Sequence, residues 1–147
     1  MTTQATLFRE VAGGFAIGQQ LPKETGDLTK VKSLVITARE NDDETRISTR
    51  IIELSEEVPE KNLERRGRQY SRLITTLFHD FKYVVVIIND AHLLPDNTIR
   101  NLKQLKEVNE SFGPEPGIIL LGQLDILKGK IGKWPEINQR AFPIKGN

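Results

Sequence analysis

The sequence predicts an α/β fold, a mainly parallel β-sheet covered by helices. Three observations carry that expectation. The run Val84 to Ile88 is a set of consecutive β-branched residues without alternation, the mark of a strand buried on both faces. A second unbroken apolar run, Gly117 to Gly122, has the same character. Segments with helical spacing alternate with these runs, and that alternation implies right-handed crossovers between parallel strands.

Residues 4–12 form a short helix carrying Leu7, Phe8 and Val11. Residues 13–30 contain Gly13, Gly14, Gly18, Pro22 and Gly26 and read as loop. Residues 31–38 include a β-branched apolar run and read as a strand. The acidic stretch at 40–44 then supplies caps for a helix over 44–57, with Ile47, Ile51, Leu54 and Val58 at helical spacing. Pro59 interrupts it. A second amphipathic helix is expected over 60–80, with Leu63, Tyr70, Leu73, Ile74, Leu77, Phe78 and Phe81 as its apolar stripe. Arg65, Arg66, Arg68 and Arg72 lie mostly off that stripe. The strand at 83–90 comes next. A third helix is expected over 96–111, burying Ile99, Leu102, Leu105 and Val108, then the strand at 117–122. A short helix at 124–131 and a terminal segment at 141–144 complete the chain.

The 147 residues suit one ordinary domain. Hydrophobic residues make up 37% and charged residues 28%, the composition of a soluble globular protein. The net charge of +1 decides nothing about nucleic acid, because a basic patch can sit inside a balanced total. The absence of cysteine excludes disulfides and cysteine metal sites. His79 and His92 are too few for a histidine-rich metal site. No apolar run approaches the ~20 residues that span a bilayer, and the N-terminus lacks the pattern of a signal peptide. A cytoplasmic setting is the default.

In open parallel sheets, ligands bind beyond the C-terminal ends of the strands. Here one strand runs into Asn89-Asp90-Ala91-His92 and another into Gly122-Gln123. An apolar strand ending in two acids, a small residue and His is how nucleoside-triphosphate hydrolases finish the strand that serves Mg²⁺. The first acid holds the ion and the second orients the attacking water. In this chain only the second position is acidic. Asn89 offers a neutral carbonyl, a weaker ligand for a hard dication, and Asp90 is shorter than the usual Glu. The alternative is that Asn89-Asp90 simply turns the chain after a buried strand. His92 reads as a supporting or solvent residue, since it has no partner His or Cys for a metal.

The segment from Leu63 to Arg140 resembles the AAA+ ATPases of the secretion-associated ExeA group and of the transposition-associated TniB and Mu B group. The resemblance covers a helix, the strand YVVVIINDAHLL, the helix DNTIRNLKQLKEVNE, the strand GIILLGQ and the tract LDILKGKIGKWPEINQR. It implies ATP and Mg²⁺ as ligands, with Asn89 and Asp90 in the metal and water positions. It also implies Gln123 as the γ-phosphate sensor and Arg140 as an arginine finger acting in trans. The plainer role for Arg140 is a pair with Glu136 or a place in solvent. Trp134-Pro135 reads as a packing anchor. The resemblance further implies an oligomer, with DNA and a transposase, or a secretion machine, as partners.

The phosphate-binding loop G-x-x-x-x-G-K-[ST] does not occur. Its glycines let backbone N–H groups approach phosphates, and its lysine neutralises the β/γ oxygens. Gly18 to Thr25 is the nearest string, but Pro22 stands before Lys23 where the second glycine belongs, and proline has no N–H. Met1-Thr2-Thr3 resembles the residues that come after the loop lysine in this family. On that alignment Thr2 and Thr3 bind nucleotide, residues 4–12 are the helix after the loop, and the first strand and the loop precede Met1. The expectation is then one partial AAA+ domain over 1–147, without its first strand, loop and C-terminal lid, and with a central strand edge unpaired.

Three functions are compatible with these residues. One is an ATPase-family protein coupling nucleotide to assembly of a transposition or secretion complex, inactive alone. Another is a non-catalytic interaction module, which Asn89 favours. The last is a truncated gene product. A flavodoxin-like receiver domain ranks far below, since its acidic pair and its lysine are both missing.

Overall fold

The computed structural model describes residues 3–22, 26–108 and 113–144. Five strands, β1 (Phe15–Gly18), β2 (Val31–Thr37), β3 (Tyr83–Asn89), β4 (Gly117–Leu121) and β5 (Ala141–Pro143), form one sheet in the order β2-β3-β4-β1-β5. Every pairing is parallel. The helices are α1 (Gln4–Glu10), α2 (Glu44–Leu54), α3 (Leu63–Asp80), α4 (Asp96–Asn101), α5 (Leu124–Ile131) and α6 (Pro135–Asn138).

Local chemistry accounts for the helix starts. The side chain of Asp43 accepts from the Arg46 backbone N–H at 2.8 Å, and that of Asn62 from the Arg65 N–H at 3.0 Å. Each satisfies one donor that the first helical turn leaves unpaired. Pro135 opens α6 at the position where its missing N–H costs nothing.

The two faces of the sheet are covered unequally. One face packs Leu34, Ile36, Val84, Val86, Ile88, Ile118 and Leu120 against α2 to α6. The other packs Val85, Ile87, Ile119 and Leu121 against Leu7, Phe8 and Val11 of α1, with Leu21, Leu28 and Ile144 beside them.

The largest departure from expectation is β1. Residues 13–30 do not read through as loop. Phe15–Gly18 forms a strand between β4 and β5, with Phe15 beside both Ile118 and Ala141. The slot expected to be empty is filled, and the β4 edge is paired. Helix α1 therefore enters the central strand, where residues 4–12 were expected to come after a loop leaving it. The strand escaped notice because Phe15-Ala16-Ile17 is a very short apolar run between glycines. Residues 19–30 then cross β4 and β3 to reach β2. That is close to the dozen residues a parallel crossover needs at the least. None of the described part of this crossover is helical.

Smaller corrections have the same kind of cause. Helix α2 stops at Leu54, and Leu54 and Val58 are 51% and 87% exposed, so neither belongs to a buried stripe. Leu63 is also exposed, at the first position of α3. Helix α4 tightens into a 3₁₀ turn at Leu102–Leu105 instead of running to 111, and residues 109–112 lie outside the described residues.

Candidate functional site at the strand ends

Because the strands are parallel, Gly18, Thr37, Asn89 and Leu121 all end at one rim of the sheet. Asn89 closes β3 opposite Thr37, and its carbonyl accepts from the Ala38 N–H at 2.8 Å. Asp90 comes next, in the left-handed region, φ 55° and ψ 36°. Asp tolerates this conformation better than most residues. It bends the chain sharply off the sheet into a 3₁₀ turn at Ala91–Leu93 and leaves Asp90 exposed. Gln123 lies just beyond β4 and is the residue from which α5 starts. Between the two turns stands His92, whose Nδ1 accepts from the Gln123 backbone N–H at 3.1 Å.

Asn89, Asp90 and Gln123 are thus gathered on one rim, while the other expected site residues are not. Arg140 lies just before β5 and so at the opposite rim. Its charge helps to lower the Lys106 ammonium below the usual lysine range, after burial as the main cause, and the Lys106 Nζ sits 4.6 Å from the Phe15 ring centroid at the start of β1. Arg140 is also not the partner of Glu136, which pairs with Arg100 at 3.5 Å. Thr3 caps α1 through the Thr6 N–H at 3.0 Å and lines a pocket with Val31 and Tyr83, which begin β2 and β3. It therefore stands at the far rim, away from Asp90. Thr2 lies outside the described residues.

The exit from β1 is where a phosphate loop would open. Gly18 is buried there for a packing reason: a Cβ would come within 2.8 Å of Ile144 Cδ1. The chain continues through Gln19-Gln20-Leu21 to Pro22, whose carbonyl accepts from Gln4 Nε2 at 2.9 Å. Lys23, Glu24 and Thr25 lie outside the described residues. A divalent ion does not fit what is present. Asn89 brings no charge, and among the described residues no group of three His, Cys, Asp or Glu side chains could hold a metal. The position expected to bind Mg²⁺ is therefore a poor one by its own chemistry.

The supports around the rim are what sequence reasoning missed. Lys130 Nζ donates to the carbonyls of His92 at 2.7 Å and Leu94 at 2.8 Å. Trp134 Nε1 donates to the Asp96 carbonyl at 2.9 Å, and Arg100 lies 5.0 Å from the Trp134 ring centroid, which makes Trp134 the packing anchor expected of it. Lys133 Nζ reaches Asp96 Oδ2 at 2.5 Å and holds that carboxyl below the usual carboxylate range. Lysines in a short helix or just after it, as Lys130 and Lys133 are, carry no sequence signal for such contacts.

The five parallel strands with helices on both faces form an α/β fold, and Asn89, Asp90 and Gln123 stand on the rim at its strand ends. A solved structure of similar fold is the ORC2 protein of Aeropyrum pernix. In the ADP form of that protein the TM-score is 0.62 at 11% identity, over 96% of this chain and 46% of that one. In its ADPNP–ADP complexes the TM-score is 0.55 at 12% identity, over 89% of this chain and 40% of that one. At such identities the likeness is one of fold, and this chain spans less than half of that protein's length. No protein-family model and no curated protein matches the sequence. Among the described residues, no helix is long and apolar enough to cross a membrane.

Proposed function

We propose that this chain is an AAA+-type core that couples ATP binding to assembly of a DNA-transposition or secretion complex, and that it turns over no ATP alone. The observation that carries the proposal is the rim, where Asp90 and Gln123 stand on neighbouring strand ends with His92 bonded between them. The ATPase fold, and the ADP and ADPNP forms of the ORC2 protein, support nucleotide as the ligand. Asp90 would orient a water at the γ-phosphate, and Gln123 would contact that phosphate. No step runs through Mg²⁺, because Asn89 is a poor ligand for it.

An oligomer is part of the proposal. Arg140 lies on the rim opposite Asp90, so it would serve a nucleotide held by a neighbouring subunit. DNA as the partner is supported by α3. Arg65, Arg68 and Arg72 line an open cavity of about 940 Å³ together with Ser71. Glu60 and Glu107 line it too, so its salt dependence would be shallow.

A specific observation favours the non-catalytic reading as well. Ile144 packs against Gly18 at the exit from β1, and Pro22 comes where a phosphate loop needs backbone donors. Titration of a fluorescent ATP analogue, with and without Mg²⁺, separates the two. The proposal expects binding that changes little with Mg²⁺ and negligible turnover. No binding in either condition would leave the interaction module standing. Turnover abolished by Asp90→Ala would refute inactivity alone.

A further inference from the structure

Two turns on the rim are held together by one side chain, and its surroundings are shaped for that contact. The Gln123 N–H donates to His92 Nδ1, a contact in which Nδ1 is the acceptor and Nε2 is left to carry the ring N–H. The approach requires glycine at 122. A Cβ there would stand 2.5 Å from His92 Nδ1 and 3.2 Å from the His92 backbone nitrogen, closer than packed atoms allow. From the other side, α5 starts after Gln123 and returns through Lys130 to the carbonyls of His92 and Leu94. The contacts close a ring: His92 to Gln123, along α5 to Lys130, and back to His92. Nothing else about β3 or β4 demands it. Both strands are paired along their length without His92.

We propose that His92 is a positioning residue, which locks the turn bearing Asp90 to the turn bearing Gln123 so that the two rim groups keep one spacing. Gly122 and Lys130 are its supports. The use made of that spacing rests on the nucleotide reading above, but the lock itself does not. A hydrogen bond accepted by a side chain across two loops is a point where a short chain can fix geometry that backbone pairing leaves open, since pairing stops at the strand ends.

The test uses the full chain and three variants. His92→Phe keeps a ring and removes the acceptor. His92→Asn keeps a side-chain acceptor near the Nδ1 position. Gly122→Ala keeps the histidine in the sequence but pushes its ring away from the Gln123 N–H. Hydrogen exchange read by NMR is expected to show Gln123 amide protection falling on the order of tenfold in His92→Phe and in Gly122→Ala. His92→Asn should restore most of it. Amides within β3 and β4 should hold their protection in all three, which separates loss of the lock from loss of the fold. The ¹⁵N spectrum of the wild-type imidazole should show the Nε2–H tautomer. Unchanged Gln123 protection in His92→Phe, failure of the Asn variant to restore it, or an Nδ1–H tautomer would each overturn the proposal. If the lock behaves as stated but the fluorescent ATP analogue never binds, the positioning role stands and the nucleotide reading falls.

Discussion

The two faces of the sheet are built from strands of similar composition but are covered in different ways. On one face α2 to α6 bury Ile47, Ile51, Ile74, Ile99 and Leu127 against the strands. On the other, among the described residues, one short helix, α1, does most of the covering, helped by Leu21, Leu28 and Ile144. The result shows at β2. Leu34 and Ile36 point to the thick side and are buried, whereas Val35, between them, is 45% exposed. The cause is the connection from β1 to β2. The described residues of that connection, 19–22 and 26–30, lay no helix over the outer strand. An apolar side chain is thereby left at the surface, and the thin face is expected to open more readily than the thick one.

Four measurements would break or sharpen that comparison, taken from the largest effect down. Ile74, fully buried on the thick side, should cost about 2–5 kcal/mol when replaced by alanine, read by chemical denaturation. A loss well below that would mean the thick face is loosely packed. On the thin side, a Cβ at Gly117 would stand 2.5 Å from the Val11 carbonyl oxygen, where α1 turns toward β1. Gly117→Ala should destabilise by about 1–3 kcal/mol and should speed hydrogen exchange in α1 before it affects α3. Uniform loss of protection across both helices would show that the faces unfold together.

Tyr70 tests a buried polar contact on the thick side. Its hydroxyl donates to the Leu105 carbonyl at 2.7 Å, and burial pushes its pKa well above the ordinary tyrosine value of 10.0. A raised folded value means the stabilising effect is complete below pH about 10 and is lost as pH climbs above it. Tyr70→Phe should cost about 0.5–1.5 kcal/mol near neutral pH and should flatten the alkaline loss of stability. An identical alkaline profile in the variant would assign that loss to other groups. The smallest change is expected at Val35. Val35→Thr, on the uncovered part of the thin face, should lie within about 0.5 kcal/mol of wild type. A larger loss would indicate that something covers Val35 in solution.

Much of this was readable from residues alone, and the limits of reading have physical causes. Strands β3 and β4 declared themselves because both of their faces are buried, which leaves no place for polar alternation. Their parallel pairing, Val86 beside Ile118, agrees with the alternation of strand and helix. The rim residues Asn89, Asp90 and Gln123 were legible from the strand ends. Strand β1 was not, because Phe15-Ala16-Ile17 is short and flanked by glycines that usually mark loops. Thr3 was placed at the nucleotide site by resemblance, and the sheet puts it at the other end, where Arg140, expected to act in trans, also lies. Leu54, Val58 and Leu63 matched a helical stripe in spacing, but no neighbouring element covers them.

The sequence alone determined the class of fold, the identity of its two most buried strands and the polar residues that end them. Those properties depend on neighbours along the chain, through periodicity and burial, and such patterns are written residue by residue. Only the tertiary structure decided that Phe15–Gly18 lies at the centre of the sheet, that one face is thinly covered, and that His92 joins two turns. Each of these depends on segments far apart in sequence meeting in space, and no local pattern records which distant partner a short strand or a single imidazole will find.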